Sequence, residues 1–211
     1  MEWMDWQITT AAQAESEKLF VASVGRQQGK TEIGVEIARR AANRGDRVLY
    51  LSAQLLCART ALRKLYSAQV DDRPESIKRY VQSPPWMSVE LNHGGFVRFA
   101  SYQSRIDLLG YDRIVADDFA VPVEWVLSRV HRETSVLLLP LGRHMPVGLD
   151  GLWFGIEHDA DPTDETLWAD AIPGLGTTMT LDGVRRMQQA MSADLFADEV
   201  LNRRAPSLAP V

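Results

Sequence analysis

The sequence predicts an α/β fold, a mostly parallel sheet flanked by helices, with a small helical appendage behind it. Three observations lead there. Apolar runs of strand length alternate with longer stretches of helical periodicity from Leu19 to Leu141. Those runs are apolar at nearly every position, the pattern of strands covered on both faces, as parallel strands are. After about Gly142 the chain turns acidic and polar, with closely spaced turn residues.

The elements follow in order. LFVASV (19–24) is the first strand, and a helix is expected from about Lys30 to Asn43, where Ile33, Ile37 and Ala41 recur at helical spacing. RVLYLS (47–52) is the second strand. The helix after it is expected from Ala53 to Val70, broken by Asp71, Asp72 and Pro74. VELNHGGFVRFAS (89–101) is a hairpin, two alternating runs about Asn92-His93-Gly94-Gly95, whose glycines allow positive φ. RIVADD (113–118), a short helix from about Pro122 to His131, and SVLLLPLG (135–142) complete residues 1–145, which read as the core. Residues 146–211 read as a C-terminal extension. They hold one last strand candidate, LWFGIE (152–157), an acidic turn DADPTDE (159–165), the loop Ile172–Gly176 and a helix over 180–191 that begins near Thr180 or Asp182.

Composition limits the class. With 45% hydrophobic and 24% charged residues, the 211-residue chain is not an intrinsically disordered one. The single cysteine, Cys57, excludes an internal disulfide and a multi-cysteine zinc site, and its apolar helix suggests a core position. The four histidines show no metal-ligand spacing. The start lacks the layout of a signal peptide, and no apolar run approaches membrane-spanning length, so a soluble intracellular protein is expected. The net charge of −5 is unevenly spread. Residues 1–105 carry 15 Lys and Arg against 11 Asp and Glu; the remainder carries 8 against 17. A basic first half leaves room for a surface that faces phosphates.

The segment Ser23-Val24-Gly25-Arg26-Gln27-Gln28-Gly29-Lys30-Thr31 carries the chemistry. It follows a strand and opens a helix, where backbone N–H groups and a helix N-terminus form an anion cradle. Gly29 lets a triphosphate approach the backbone, Lys30 would reach the β- and γ-phosphates, and Thr31 would offer its hydroxyl to Mg²⁺. The first glycine of the usual phosphate-loop pattern falls on Val24, with Gly25 one place later. A phosphate loop needs an acidic strand end to hold the metal, and RIVADD supplies one. Asp117 would coordinate Mg²⁺, and Asp118 would orient and deprotonate the attacking water.

These residues, in this order, resemble the ATPase domain of the large terminase subunit, the DNA-packaging motor of tailed bacteriophages. The likeness covers nearly the whole chain. The loop from Gly25 to Thr31 is similar to that family's Walker A, with an Arg early in the loop, and Asp117-Asp118 stands at its Walker B. Trp6-Gln7 resembles the adenine-recognising Gln motif, and Leu138–Gly142 the coupling motif. The acidic turn, Trp and Pro-x-Leu-Gly of the tail resemble its linker subdomain. The resemblance implies a P-loop NTPase of the ASCE, RecA-like type that binds ATP and Mg²⁺. It also implies an adenine contact from Gln7 with a stacking aromatic such as Trp6, phosphate contacts along Gly25, Arg26, Gln27, Gln28, Gly29, Lys30 and Thr31, and a catalytic contribution from Lys30 and Asp118. Arg26 is the first candidate for an arginine finger and Arg105 the second. The implied partners are double-stranded DNA, the portal protein, the small terminase subunit and further copies of the chain in a ring. The implied location is the host cytoplasm rather than a membrane or the mature virion.

Three departures qualify the likeness. Walker B in the family is usually Asp-Glu, so Asp118 is one methylene shorter. Ile172 stands where an Asn often precedes the Pro. The acids after Walker B are crowded into one turn, so no nuclease domain is expected here: the chain is either an excised domain or a split motor whose nuclease is another chain. Two other functions remain open: another DNA-stimulated P-loop translocase, and a nucleotide-binding assembly module with little hydrolysis. Arg39, Arg40, Arg44, Arg59, Arg63 and Lys64 are candidates for DNA phosphate contacts, with solvated helix faces as the equal alternative.

Overall fold

The computed structural model describes residues 3–206 apart from 105, 120–122, 146–148 and 150; for residues 118, 119, 123 and 124 only the backbone is described. Among the described residues one sheet holds β1 (Leu19–Ser23), β2 (Arg47–Ser52), β3 (Ile77–Val81), β4 (Ser88–Leu91), β5 (Phe96–Ser101), β6 (Arg113–Phe119), β7 (Ser135–Pro140) and β8 (Gly151–Trp153). Their order is β3-β4-β5-β2-β6-β7-β1-β8. The six strands from β5 to β8 in that order pair in parallel, and β3 and β4 add an antiparallel end beyond β5.

The apolar runs form strands because both of their faces are covered. In β2, Val48 and Tyr50 point into one core with α1 (Asp5–Ser16), α2 (Lys30–Asn43) and α3 (Leu55–Asp72). Their neighbours Leu49 and Leu51 point into a second core, with Leu108, Tyr111 and Val126 of α4 (Val123–Leu127). Each such side chain contributes about 1.5–3 kcal/mol when fully buried, so a one-residue slip of register would be costly. A third core lies under α5 (Trp168–Ala171), α6 (Leu181–Ala190) and α7 (Ala193–Glu199), where the rings of Trp168 and Phe196 meet edge to face at 5.5 Å.

Several expectations need adjusting. β8, read as part of the extension, pairs with β1 and belongs to the main sheet. The helix expected to stop at Val70 runs to Asp72. Pro74 disfavours helical geometry at Arg73, which leaves the helix at φ −149°, ψ 69°. Cys57 is exposed, not core. The buried side of α3 is Ala58, Ala61, Leu62, Leu65 and Gln69, which leaves the apolar start of the helix, Leu55-Leu56-Cys57, facing water. Pro122, the expected start of α4, lies outside the described residues. Sequence reading also passed over α1 and β3, because IKRYV alternates too weakly to stand out and residues 5–16 show little amphipathic contrast.

Candidate functional site

β1 ends at Ser23 and α2 begins at Lys30, and the turn between them needs two residues in left-handed geometry, Gln27 (φ 61°) and Gly29 (φ 87°). Gly29 is the N-cap of α2, and a Cβ there would press on the Gln7 amide. Lys30 is buried and donates from Nζ to the carbonyls of Val24 (2.7 Å) and Gly25 (3.3 Å), so its ammonium is held inside the loop.

The acidic strand end meets this loop although 86 residues separate them in the chain: the Thr31 hydroxyl donates to Asp117 Oδ2 at 2.7 Å. β6, which carries Asp117, is separated from β1 by β7 alone. Two tyrosines hold the aspartate. Tyr50 donates from its phenol to the same Oδ2 at 2.8 Å, and Tyr102 donates to the Asp117 carbonyl at 3.0 Å. Complete burial first, then the adjacent Asp117 carboxylate, push the Tyr50 phenol well above its ordinary range, so it remains a donor. A groove of about 310 Å³ runs over Gly25, Gly29, Lys30, Thr31 and Asp117, with a Glu32–Lys64 ion pair at its side. A second cavity of about 390 Å³ shares Gln27, Gly29 and Glu32 with the groove and is lined also by Met4, Gln7 and Thr178.

The remaining expected residues divide. Gln7 borders the second cavity; its Oε1 accepts from the Met4 N–H at 3.0 Å and its Nε2 donates to the Gly29 carbonyl at 3.4 Å. Gln27 lines both cavities. Trp6 instead sits 3% exposed in the first core against Phe154, bordering a third cavity beside Leu152 and Pro173. The Gln28 side chain turns away from the groove into the C-terminal loop, where its Oε1 accepts from Gly174 N–H at 3.0 Å and its amide contacts Met179 Sδ. Arg26 is ion-paired with Glu199 of α7, which also holds Arg143 at 2.9 Å. The Asp118 side chain and Arg105 lie outside the described residues. Of the arginines read as DNA contacts, Arg39, Arg40 and Arg44 are drawn into ion pairs with Glu36, Asp72, Glu15 and Asp46.

Sequence reading missed three groups that the fold brings to the loop: Tyr50, Glu199 and Asn202. Asn202 is buried at φ 52°. Its Oδ1 accepts from the Gly142 N–H at 2.5 Å, and its Nδ2 donates to Ser23 Oγ (3.0 Å) and to the Phe154 carbonyl (2.8 Å). It therefore ties the last residue of β1 to the segment after β7. The only local signal was an Asn shortly after a helix, a residue that tolerates left-handed geometry. Gly25 belongs to the same contact, since a Cβ there would strike the Val200 carbonyl. Its need for glycine comes from the C-terminal segment.

Chemically, the loop offers a buried ammonium, backbone donors at a helix N-terminus and a hydroxyl–carboxylate pair of hard oxygen ligands. Among the described residues no three His, Cys, Asp or Glu side chains converge as a metal site, so a divalent ion here would share its coordination with phosphate and water. The sheet, the glycine loop and the acidic strand end define a P-loop NTPase fold. No protein-family model and no curated protein matches the chain. Solved structures do. The HK97 bacteriophage large terminase superposes with a TM-score of 0.75 at 13% identity, over 97% of this chain and 51% of that one. The large terminase of a thermophilic bacteriophage, in complex with ATP-gamma-S, gives 0.64 at 10% identity, over 95% and 52%. The Thermus phage P74-26 large terminase ATPase domain gives 0.53 at 15%, over 95% and 93%. The fold is that of phage large-terminase ATPase domains, and the chain spans about half the length of the first two of these proteins.

Proposed function

We propose that this chain is the ATP-hydrolysing motor part of a terminase that drives double-stranded DNA into a phage capsid. The observation that carries the reading is the 2.7 Å contact between Thr31 on the glycine loop and Asp117 on the acidic strand end, beside Lys30. Residues 1–145, joined by β8 in their sheet, act as the ATPase core, and the rest of 146–211 acts as the linker extension.

The residues fit Mg²⁺: Thr31 and Asp117 are oxygen donors already in contact, and Tyr50 fixes the carboxylate between them. When bound, Mg²⁺ neutralises charge on the phosphates. Lys30 turns from the Val24 and Gly25 carbonyls to phosphate oxygens. Gly25, Gln27 and Gly29 line the phosphate groove, and Gln7 recognises the adenine edge at the neighbouring cavity. Gln28 lines that cavity with its side chain fixed by the 172–179 loop, and Trp6 supports it from the first core. Asp118 orients and deprotonates water, and Arg26 offers a cation for transition-state charge once released from Glu199. We further propose a homo-oligomeric ring working with the portal protein, the small terminase subunit and a nuclease activity outside these residues, in the host cytoplasm. Among the described residues no helix is long and apolar enough to cross a membrane.

The test is ATP binding and phosphate release by the wild type, Lys30→Ala and Asp118→Asn. Turnover in the wild type and its loss in both variants support the reading; equal rates in all three remove these residues from the mechanism. A second reading, a nucleotide-binding module with little hydrolysis, is favoured by the shorter Asp118. It requires tight ATP binding without phosphate release even when DNA and the other packaging proteins are present.

A further inference from the structure

The antiparallel end of the sheet carries a cavity that the nucleotide site does not use. Two rows of side chains, one across four strands and one across three, run over the face opposite α2 and α3. Register places Arg79, Glu90, Phe96 and Arg47 in one row and Val81, Ser88 and Arg98 in the next. Together with Trp86 and Tyr111 they line a cavity of about 460 Å³. The reverse face of the same strands, through Tyr80, Val89, Val97 and Phe99, is packed in the first core with Leu62 and Leu65 of α3.

Charge in this cavity is uncompensated. Glu90 is taken by Lys78 at 2.7 Å, whereas Arg47, Arg79 and Arg98 have no carboxylate within ion-pair distance among the described residues. Arg98 lies under the Trp86 ring at 4.8 Å, and its Nε–H, shut off from water, has no acceptor. Trp86 itself is 64% exposed at the rim. Three guanidinium groups along one cavity, none paired with a carboxylate, suit an anion with several oxygen acceptors spread over that span. Arg79 and Arg47 stand three strand spacings apart, about 14 Å at ~4.8 Å each. That span suits phosphates on the two sides of a duplex groove roughly 12 Å wide.

We propose that this face is a binding site for the phosphate backbone of duplex DNA, with Arg47, Arg79 and Arg98 as its cations. The identity of the ligand rests on the motor reading above; the uncompensated charge does not. The acidic second half of another copy is the rival occupant: Glu165, Asp194, Asp198 and Glu199 are paired with arginines, but Glu157, Asp159 and Asp170 have no ion pair among the described residues, so self-association is followed in the same experiment.

The experiment measures anisotropy of a labelled random-sequence duplex across a salt series, with the wild type and the double variant Arg47→Gln/Arg79→Gln. Both substitutions are at exposed positions, so the fold is retained where Arg98→Gln could disturb it. Loss of two phosphate contacts makes the log–log salt slope shallower by about 1.8, equivalent to about 60-fold weaker binding in ~0.1 M salt. Arg185→Gln/Arg186→Gln on α6, exposed and outside this cavity, is the control and leaves the slope unchanged. An unaltered slope in the first double variant overturns the proposal, and so does loss of self-association with DNA affinity intact. Basal phosphate release separates this from the motor reading. A protein that releases phosphate but whose DNA affinity ignores Arg47 and Arg79 refutes the site alone. A protein that binds DNA through them but never releases phosphate refutes the motor alone.

Discussion

Replacing Asn202 tests how far the phosphate loop depends on the C-terminal segment. Its amide satisfies the Gly142 N–H, the Phe154 carbonyl and Ser23 Oγ; Ser23 Oγ also donates to the Pro140 carbonyl at 3.0 Å and so keeps one bond. Asn202→Ala leaves the buried Gly142 N–H and the half-buried Phe154 carbonyl without their partner, at about 1–3 kcal/mol each, so a loss near ~4 kcal/mol is expected. For a chain of this size that lowers Tm by ~8–16 °C. Asn202→Gly loses the same hydrogen bonds but accepts φ 52° without a Cβ, so it should be more stable than the alanine variant by about 1 kcal/mol. The assay is urea unfolding of the three proteins, with ATP affinity measured alongside. ATP binding should weaken in both variants, because Ser23 immediately precedes the loop. An alanine variant within about 1 kcal/mol of wild type, the size of one ordinary hydrogen bond, refutes the view of Asn202 as a hub.

Three other outcomes are expected. Tyr50→Phe removes a buried phenol from Asp117 without changing shape, costing about 1.5–3 kcal/mol in thermal unfolding of the nucleotide-free protein; an unchanged Tm would mean that the phenol does not hold the carboxylate. Gly25→Ala drives a methyl into the Val200 carbonyl and breaks the Arg26 N–H bond to the Glu199 carbonyl (2.7 Å), so a loss of about 1–3 kcal/mol accompanies increased protease sensitivity of α7. Burial alone would raise the Glu36 carboxyl, but hydrogen bonds and charge from Arg39 and Arg40 outweigh it and hold it below its ordinary value. Its stabilising contribution is therefore present above that ordinary value and disappears as pH falls through the lowered one. Glu36→Gln should cost about 1–2 kcal/mol at neutral pH and progressively less in acid, read from denaturation curves across pH.

Legibility in the sequence followed distance along the chain. The helix over Lys30–Asn43, the strand over Arg47–Ser52 and the hairpin between β4 and β5 were readable, because periodicity and turn glycines act over a few residues. So was the pairing of a glycine loop with an acidic strand end, because the chemistry of a triphosphate and its metal requires both. The C-terminal helix start was readable too: Thr180 accepts from the Gly183 N–H, as a capping residue does.

What tertiary structure alone decided were contacts whose partners share no local pattern. Gln28 looked like a phosphate-loop residue and became a bolt to Gly174, 146 residues away. Arg26 reads from the sequence as an arginine finger or a salt-bridged loop residue, and only the fold supplies its partner, Glu199; Asn202 closes a bond to Ser23 across 179 residues. The amino-acid sequence by itself determined most strands and helices, α1 and β3 excepted, together with the loop and the acidic pair, because these follow from backbone geometry and side-chain type. Tertiary packing decided which polar groups share a dry space, and there each donor must find an acceptor wherever in the chain it lies.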